Sequence, residues 1–437
     1  MYQTTLSLLK RLKNAGFEAY LAGGCVRDVL LNHEPKDYDI VTNATPDQIE
    51  GLFTKSRAIG KHFGVILVEE NGHHFEIATF RSDSGYSDGR RPDFVTFTTA
   101  EEDAKRRDFT INGLFYDPLS KEVKDFVSGQ IDLKEKLIRF IGNPYDRIQE
   151  DHLRILRAIR FKNKLGFRFH PDTYTALKTH AALAKKVAPE RLQHEMNRML
   201  LHPSRSQSLL DMEELGILQI ILPEIAAMKG ITQPFEYHTE GDVFEHTLMS
   251  LKSIHSTKNL ALIWATLLHD TGKVETFKLR ERIRFDAHAE HSSTIARAVL
   301  TRLRFSAKFI DDVCFLVLHH MMWVALRDMP IGRQKRWIFD RNFPNLLRLF
   351  KADASGSRPL DLSLYHEVKS MIDNRKKETK KLPKPLVNGN DLQKFFDLKP
   401  GPIIGKMLTS LHDAQLEHGI KTKKEALTLA EKLLKKL

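Results

Sequence analysis

Residues 17–46 read FEAYLAGGCVRDVLLNHEPKDYDIVTNATP, and the fold of the first third of the chain follows from this stretch. The apolar run Ala19–Ala22 has strand length and stops at Gly23-Gly24, after which CVRDVLL has helical spacing. The paired glycines therefore stand between a strand and a helix N-terminus. Glycine there lets the backbone approach a phosphate, and the first amides of the helix point at it. Arg27, one turn into the helix, offers a bidentate contact to the same anion. Asp37-Tyr38-Asp39 then leads into a second strand, and alternate strand residues project to one side. Two carboxylates held together repel unless a cation neutralises them, and hard oxygen ligands suit Mg²⁺. A solvated strand end would also carry two acids. The glycine turn just before them favours the catalytic reading.

Beyond this stretch, GVILVEE (64–70) and HHFEIATF (73–80) are strand-like and meet at Asn71-Gly72, a hairpin signal. From about residue 137 strand signals vanish. RIQEDHLRILRAIRFKNKLGF (147–167) is strongly helical, and helix after helix follows. The expected fold class is α+β: an α/β head with a small mixed sheet, then an all-α body. The 437 residues allow two to four domains, and 41% hydrophobic with 28% charged residues excludes a disordered chain. Lys and Arg outnumber Asp and Glu by 68 to 56, a net charge of +12 that points to a polyanionic partner. Two distant cysteines, Cys25 and Cys314, build neither a disulfide framework nor a cysteine zinc site, which fits a reducing compartment. The longest apolar run, Leu260–Leu268, is too short to span a bilayer, and the N-terminus lacks the order of a signal peptide. A cytoplasmic protein without membrane partners is expected.

The segment 23–46 resembles the signature motif of the class II tRNA nucleotidyltransferases, the CCA-adding enzymes and their bacterial poly(A) polymerase relatives. Three further motifs follow in family order. Arg106–Asn112 (RRDFTIN) resembles the motif that supports sugar and triphosphate. Glu150–Phe161 (EDHLRILRAIRF) resembles the nucleotide-selecting helix, and Pro189-Glu190-Arg191 a helix that braces the neck. The resemblance implies that Asp37 and Asp39 bind Mg²⁺ and carry catalysis. It further implies that Gly23, Gly24, Arg27, Arg107 and Asp108 hold phosphates and sugar, and that Asp151 and Arg154 read the base. CTP, ATP and tRNA are the implied partners.

Asp151, Arg154, Arg157 and Arg160 recur every third residue, so neighbours in the series share a helix face. Asp offers only acceptors and Arg only donors. Cytosine and adenine both place an amino donor beside an unprotonated ring nitrogen, which an Asp-Arg pair matches. Guanine and uracil present the opposite order and leave buried groups unpaired. Arg157 and Arg160 then face the triphosphate or support the helix; a solvated basic face is the alternative. The loop RSDSGYSDGRRPD (81–93) has the composition of a mobile loop. In the family this loop is linked to the switch from adding C to adding A, and its full length here favours complete CCA addition. Ala58–Val65 (AIGKHFGV) is more like the CCA-adding branch than the poly(A) polymerases, which carry an arginine-rich stretch there.

Farther on, His269-Asp270 follows LALIWATLL, His246 lies in DVFEHTLMSL, and Asp353 lies in KADASG. This set resembles an HD domain, whose metal is held by a His, a His-Asp pair and a distal Asp. His288, with His319 or His320, matches positions where some HD domains hold a second metal. Imidazole with carboxylate suits Mn²⁺, Ni²⁺ or Zn²⁺, and a metal-bound hydroxide attacks phosphoesters. Such motifs also serve as helical scaffold.

Arg375–Pro385 (RKKETKKLPKP) reads as a linker, and Asn388–Leu392 and Leu398–Pro402 as helix-capping turns. KTKKEALTLAEKLLKKL (421–437) reads as a helix with lysines outward, suited to phosphate contacts with tRNA or simply to solvent. The expected division is a head, 1–136; a helical neck, 137–225; an HD body, 226–374; and a tail, 375–437. Rivals to full CCA addition are an A-adding or CC-adding enzyme, a poly(A) polymerase, a metal-dependent phosphohydrolase with an RNA-binding head, and a non-catalytic RNA-binding protein. Oligomeric state is left open.

Overall fold

The computed structural model describes residues 1–85, 92–236, 238–279 and 283–434, arranged as two units, Met1–Ile221 and Leu222–Leu437. Their junction lies near the expected neck–body border, while the borders expected at 136/137 and 374/375 fall inside the units.

In the first unit the strands are β1 (Ala19–Ala22), β2 (Asp39–Thr42), β3 (Ser56–Gly60), β4 (Val65–Glu70), β5 (His73–Thr79), β6 (Arg81–Ser84), β7 (Phe94–Phe97), β8 (Phe115–Asp117) and β9 (Glu122–Lys124). Seven form a mixed sheet in the order β3-β4-β5-β2-β1-β8-β9, and β6 pairs with β7 as a separate hairpin. Within this sheet, among the described residues, β2 and β5 are the one parallel pair, with Ile40 opposite Ile77. The β4–β5 turn uses Asn71 and Gly72, both at positive φ, as a two-residue hairpin requires. Tyr20, Val41, Phe80, Ala104 and Phe115 form the core on one face, with Tyr20, Phe80 and Phe115 in stacked contact. The helix Tyr2–Asn14 buries Thr5, Leu8, Leu9 and Leu12, one stripe at helical spacing. Thr45 and Gln48 form a capping box that starts the helix Pro46–Leu52 directly after β2.

The neck differs from its reading as one continuous helix. Helices run over Pro144–Glu150 and Arg154–Leu165, with a break at Asp151–Leu153. The Asp151 carboxylate accepts the Leu153 amide at 3.0 Å, a local bond that competes with helical pairing. Two short strand pairs also occur beyond residue 137: Leu137–Ile138 with Arg168–Phe169, and Phe277–Leu279 with Ile283–Phe285.

In the second unit, helices Val243–Ser253, Leu260–Leu268 and Phe343–Gly356 pack together around buried Leu251, Trp264 and Leu349. Gly356 lies so close to the first of these that a Cβ would sit 2.0 Å from Ser250 Oγ. That approach brings Asp353 against His246. The helix Ser363–Glu378 continues through the first part of the expected linker, which therefore begins at Thr379. Asn388 caps the helix Gly389–Phe396 through Asp391, and Val387, Leu392, Met407, Leu411, Ala426 and Ala430 form a separate small core. Among the described residues no helix is long and apolar enough to cross a membrane.

Candidate active site

Gly23 sits at φ +71 in the turn after β1, where an L side chain is strained, and a Cβ there would reach within 3.2 Å of Arg107 Nη1. The turn opens onto a pocket of about 600 Å³ in the first unit. The residues expected to carry catalysis or hold the nucleotide all line it: Gly23, Gly24, Arg27, Asp37, Asp39, Arg107, Asp108, Asp151, Arg154, Arg157 and Arg160.

Asp39 opens β2, whereas Asp37 lies in the bend before it, outside the strand. Both are exposed and Tyr38 between them is buried, so the two carboxylates do share a side. Sequence reading missed a third acid. Glu76 precedes Ile77 as Asp39 precedes Ile40, so the parallel register sets Glu76 beside Asp39, and both are exposed. The strand pattern of HHFEIATF, with a lone acid between Phe75 and Ile77, is the signal that could have found it. Desolvation raises the Asp39 pKa, and Glu76 and Asp37 raise it further, against the pull of Arg107. Asp37 and Asp39 line the pocket with hard oxygen donors suited to a divalent cation, and Glu76 adds negative charge beside them.

The arginines are fixed by acids. Arg107 donates to Asp103 Oδ2 at 2.9 Å, and Arg106 to Oδ1 of the same fully buried aspartate at 2.7 Å. Arg27, itself buried, donates to Asn112 Oδ1 at 2.7 Å and to Asp28 at 2.6 Å. Asp108 contacts Arg157 rather than standing free: Arg157 Nε donates to it at 2.9 Å and Asn112 Nδ2 at 3.0 Å. Burial alone would raise the Asp108 pKa, but Arg157, Asn112 and Arg154 hold it down at about 2. Arg160 pairs with Glu195 of the helix Pro189–Leu201. Arg27, Arg157 and Arg160 all lie over the Phe161 ring, at 5.2, 5.3 and 4.2 Å.

The base-reading candidates are also engaged. Arg191 grips both Asp151 oxygens, at 2.9 and 2.8 Å. Arg154 donates to Glu150 and to the carbonyls of Arg147 and Arg106. The loop arginines Arg90 and Arg91 lie outside the described residues. Its base is held by Arg106 and Arg81, both bridged to Asp83.

The second unit gathers His246, His269, Asp270 and Asp353, together with His288 and His320. His246 Nε2 lies 3.0 Å and His269 Nε2 3.5 Å from Asp353 Oδ1. His288 and His320 Nε2 lie 3.5 and 3.7 Å from Asp270 Oδ1. His319 turns away and packs on Phe315 and Trp337, so His320 is the partner of His288. In all four histidines Nδ1 is committed elsewhere: to Glu240, and to the carbonyls of Thr266, Phe285 and Val317. Nδ1 bound to a carbonyl carries a proton, so Nε2 is the nitrogen left to face the carboxylates or a metal ion. His288 and His320 face each other through Nε2 across 3.2 Å, an approach that a shared proton or a cation between them satisfies. Burial opposes charge on His269, but Asp270 and Asp353 lift its pKa to about 10, so the cluster draws in positive charge. Lys273 Nζ, 2.7 Å from Asp270, supplies part of it.

A mixed sheet carrying paired carboxylates and a glycine turn, facing an arginine-lined helix across one pocket, defines a nucleotidyltransferase. Residues 19–139 match the Poly A polymerase head domain family, and residues 285–430 match tRNA nucleotidyltransferase domain 2. The chain is 31% identical to the CCA-adding enzyme of Ligilactobacillus salivarius over 440 residues, covering 99% of this chain and 97% of that one. It is 30% identical to the CCA-adding enzyme of Streptococcus mutans serotype c over 433 residues, covering 98% and 96%. The crystal structure of the Bacillus stearothermophilus CCA-adding enzyme in complex with CTP superposes with a TM-score of 0.70 at 25% identity, covering 100% and 98%. The chain belongs to the CCA-adding enzymes.

Proposed function

We propose that the protein adds C, C and A from CTP and ATP to the 3′ end of tRNA in the cytoplasm, releasing pyrophosphate at each addition. The observation that carries this reading is the convergence of the acids, the glycine turn and the arginine helix on one pocket. Gly23, Gly24 and Arg27 with Arg157 and Arg160 bind and orient the triphosphate, and Arg107 supports the sugar side. Arginine has five donors, so those not used on Asn112, Asp28, Asp108 and Glu195 remain for phosphate. Asp151 accepts from the exocyclic amino group and Arg154 donates to the ring nitrogen. Arg191 occupies one lone pair on each Asp151 oxygen and the Leu153 amide takes the other on Oδ1, so Oδ2 is the oxygen that accepts from the base.

Asp37, Asp39 and Glu76 would hold Mg²⁺, which when bound favours the nucleophilic form of the primer hydroxyl and neutralises the leaving group. In the transfer, the primer 3′ oxygen gives its proton to water and bonds to the α-phosphorus. The bond from that phosphorus to the bridging oxygen breaks, and pyrophosphate leaves with the electron pair. The test is incorporation on tRNA transcripts ending at the discriminator base, C or CC, with CTP and ATP singly and together. Three additions and a stop are expected. Addition only to the CC end, arrest at CC, or a long A tail would instead identify an A-adding enzyme, a CC-adding enzyme or a poly(A) polymerase.

A second reading rests on the histidine cluster. His246, His269 and Asp353 would hold one transition-metal ion, and Asp270, His288 and His320 a second, as in an HD phosphohydrolase. Such an ion, when bound, supplies a hydroxide nucleophile toward phosphoesters. Metal analysis of the purified protein, with His269→Ala as control, tests this independently of nucleotide transfer.

A further inference from the structure

A second cavity of about 380 Å³ adjoins the nucleotide pocket and shares Arg160, Lys164 and Arg198 with it. Its far wall is His202, Ser204 and Ser208, from the end of the helix Pro189–Leu201 and the start of the next. No carboxylate lines it among the described residues. Lys164 makes no ion pair with a described acid, and Arg198 lies a long 3.8 Å from Glu195, itself taken by Arg160. His202 Nδ1 faces the Ser204 hydroxyl at 2.7 Å and accepts its amide at 3.3 Å, which leaves Nε2 as the donor. Met199 and Leu201 complete the lining, every polar side chain in it can donate, and three cations share the single acid Glu195, a setting for a compact polyanion.

Position along the helix Arg154–Leu165 says which one. With a rise of about 1.5 Å per residue, Arg154, Arg157, Arg160 and Lys164 mark successive levels along one axis, Lys164 roughly 15 Å beyond Arg154. If Arg154 reads the base and Arg157 and Arg160 hold the triphosphate, the chamber lies beyond the terminal phosphate, on the side from which the leaving group departs.

We propose that this chamber is a pyrophosphate subsite, which takes the product after each addition and clears the nucleotide pocket for the next substrate. The inference rests on the nucleotide reading given above. Its chemistry, a phosphate group among Lys, Arg and His donors, would also suit a backbone phosphate of the RNA primer, and the experiment separates the two. Pyrophosphate inhibition of CTP incorporation is measured for the full-length protein and for Lys164→Ala and His202→Ala, with KM for CTP and for tRNA measured in parallel. Losing one charge-assisted contact should weaken pyrophosphate inhibition roughly tenfold. For His202→Ala the two KM values should hold, and for Lys164→Ala they should change less than the inhibition. A raised KM for tRNA with inhibition unchanged would assign the chamber to primer phosphate and overturn the proposal, as would two variants that match the parent. If the parent incorporates no nucleotide, the nucleotide reading itself has failed. Calorimetric titration with pyrophosphate then decides the subsite: tight binding lost in both variants supports it, and binding equal in all three proteins overturns it.

Discussion

Asp39 and Glu76 sit side by side on parallel strands, one at the first residue of β2 and the other within β5; both are exposed, and Asp39 lines the nucleotide pocket. After desolvation, Glu76 is the largest influence holding the Asp39 pKa above 3.8. In the window between 3.8 and that raised value, folded Asp39 binds more protons than unfolded Asp39, so its contribution to stability is lost as pH rises. Glu76→Gln removes the repulsion. In EDTA the variant should be more stable at neutral pH, by a urea midpoint shift worth roughly 1 kcal/mol at most. In the transfer assay it should need more Mg²⁺ for half-maximal rate. A variant with unchanged midpoint and unchanged Mg²⁺ requirement would remove Glu76 from the acid cluster.

The base-reading assignment predicts a change in selectivity as well as in rate. Asp151→Ala takes away the acceptor for the amino group of cytosine and adenine, which is worth about 1–3 kcal/mol for a buried hydrogen bond. Incorporation of CTP and ATP should fall by one to two orders of magnitude relative to GTP and UTP. Single-nucleotide incorporation with all four triphosphates reads the ratio. A uniform loss across the four would mean that Asp151 supports the neck through Arg191 and does not touch the base.

What was legible in the sequence was local. The glycine turn, the Asp37/Asp39 pair and the arginine series each lie within one short segment, so residue type and spacing sufficed to mark them. What was not legible depended on partners distant in the chain or on the rotation of one residue. Glu76 reaches Asp39 only because β5 pairs in parallel with β2, and nothing in HHFEIATF states its neighbour. The helical pattern across Glu150–Phe161 is unbroken, yet the Asp151 side chain takes the Leu153 amide and splits it. His319 and His320 are alternatives until the end of the helix Ala307–Leu318 fixes which one turns inward.

Asp108 and Arg157 should show themselves in acid. The Asp108 pKa of about 2 against 3.8 means that its stabilisation is complete above about pH 4 and is lost as pH falls toward 2. The depression is worth on the order of 2 kcal/mol. Asp108→Asn leaves the Arg157 guanidinium without its acid and should destabilise the protein by about 3 kcal/mol at pH 7. Near pH 2 the difference from the parent should shrink, which chemical denaturation at the two pH values measures. A penalty that stays constant with pH would locate the cost in shape and not in charge.

The histidine cluster predicts a stoichiometry that distinguishes adjacent residues. His320 presents Nε2 toward Asp270 and His288, whereas His319 stacks on Trp337 with ring centroids 4.9 Å apart. If two ions bind, elemental analysis after dialysis should give close to two transition-metal equivalents per chain. His320→Ala should lose one of them and His269→Ala should lose the other, with tRNA extension retained in both. His319→Ala should keep the full complement, because its ring contributes packing and no ligand. Metal content that falls equally in the His319 and His320 variants would point to a general loosening of the helix end. A parent protein that binds no transition metal even when it is added back would make the cluster a scaffold, with Lys273 and the shared protons balancing Asp270 and Asp353.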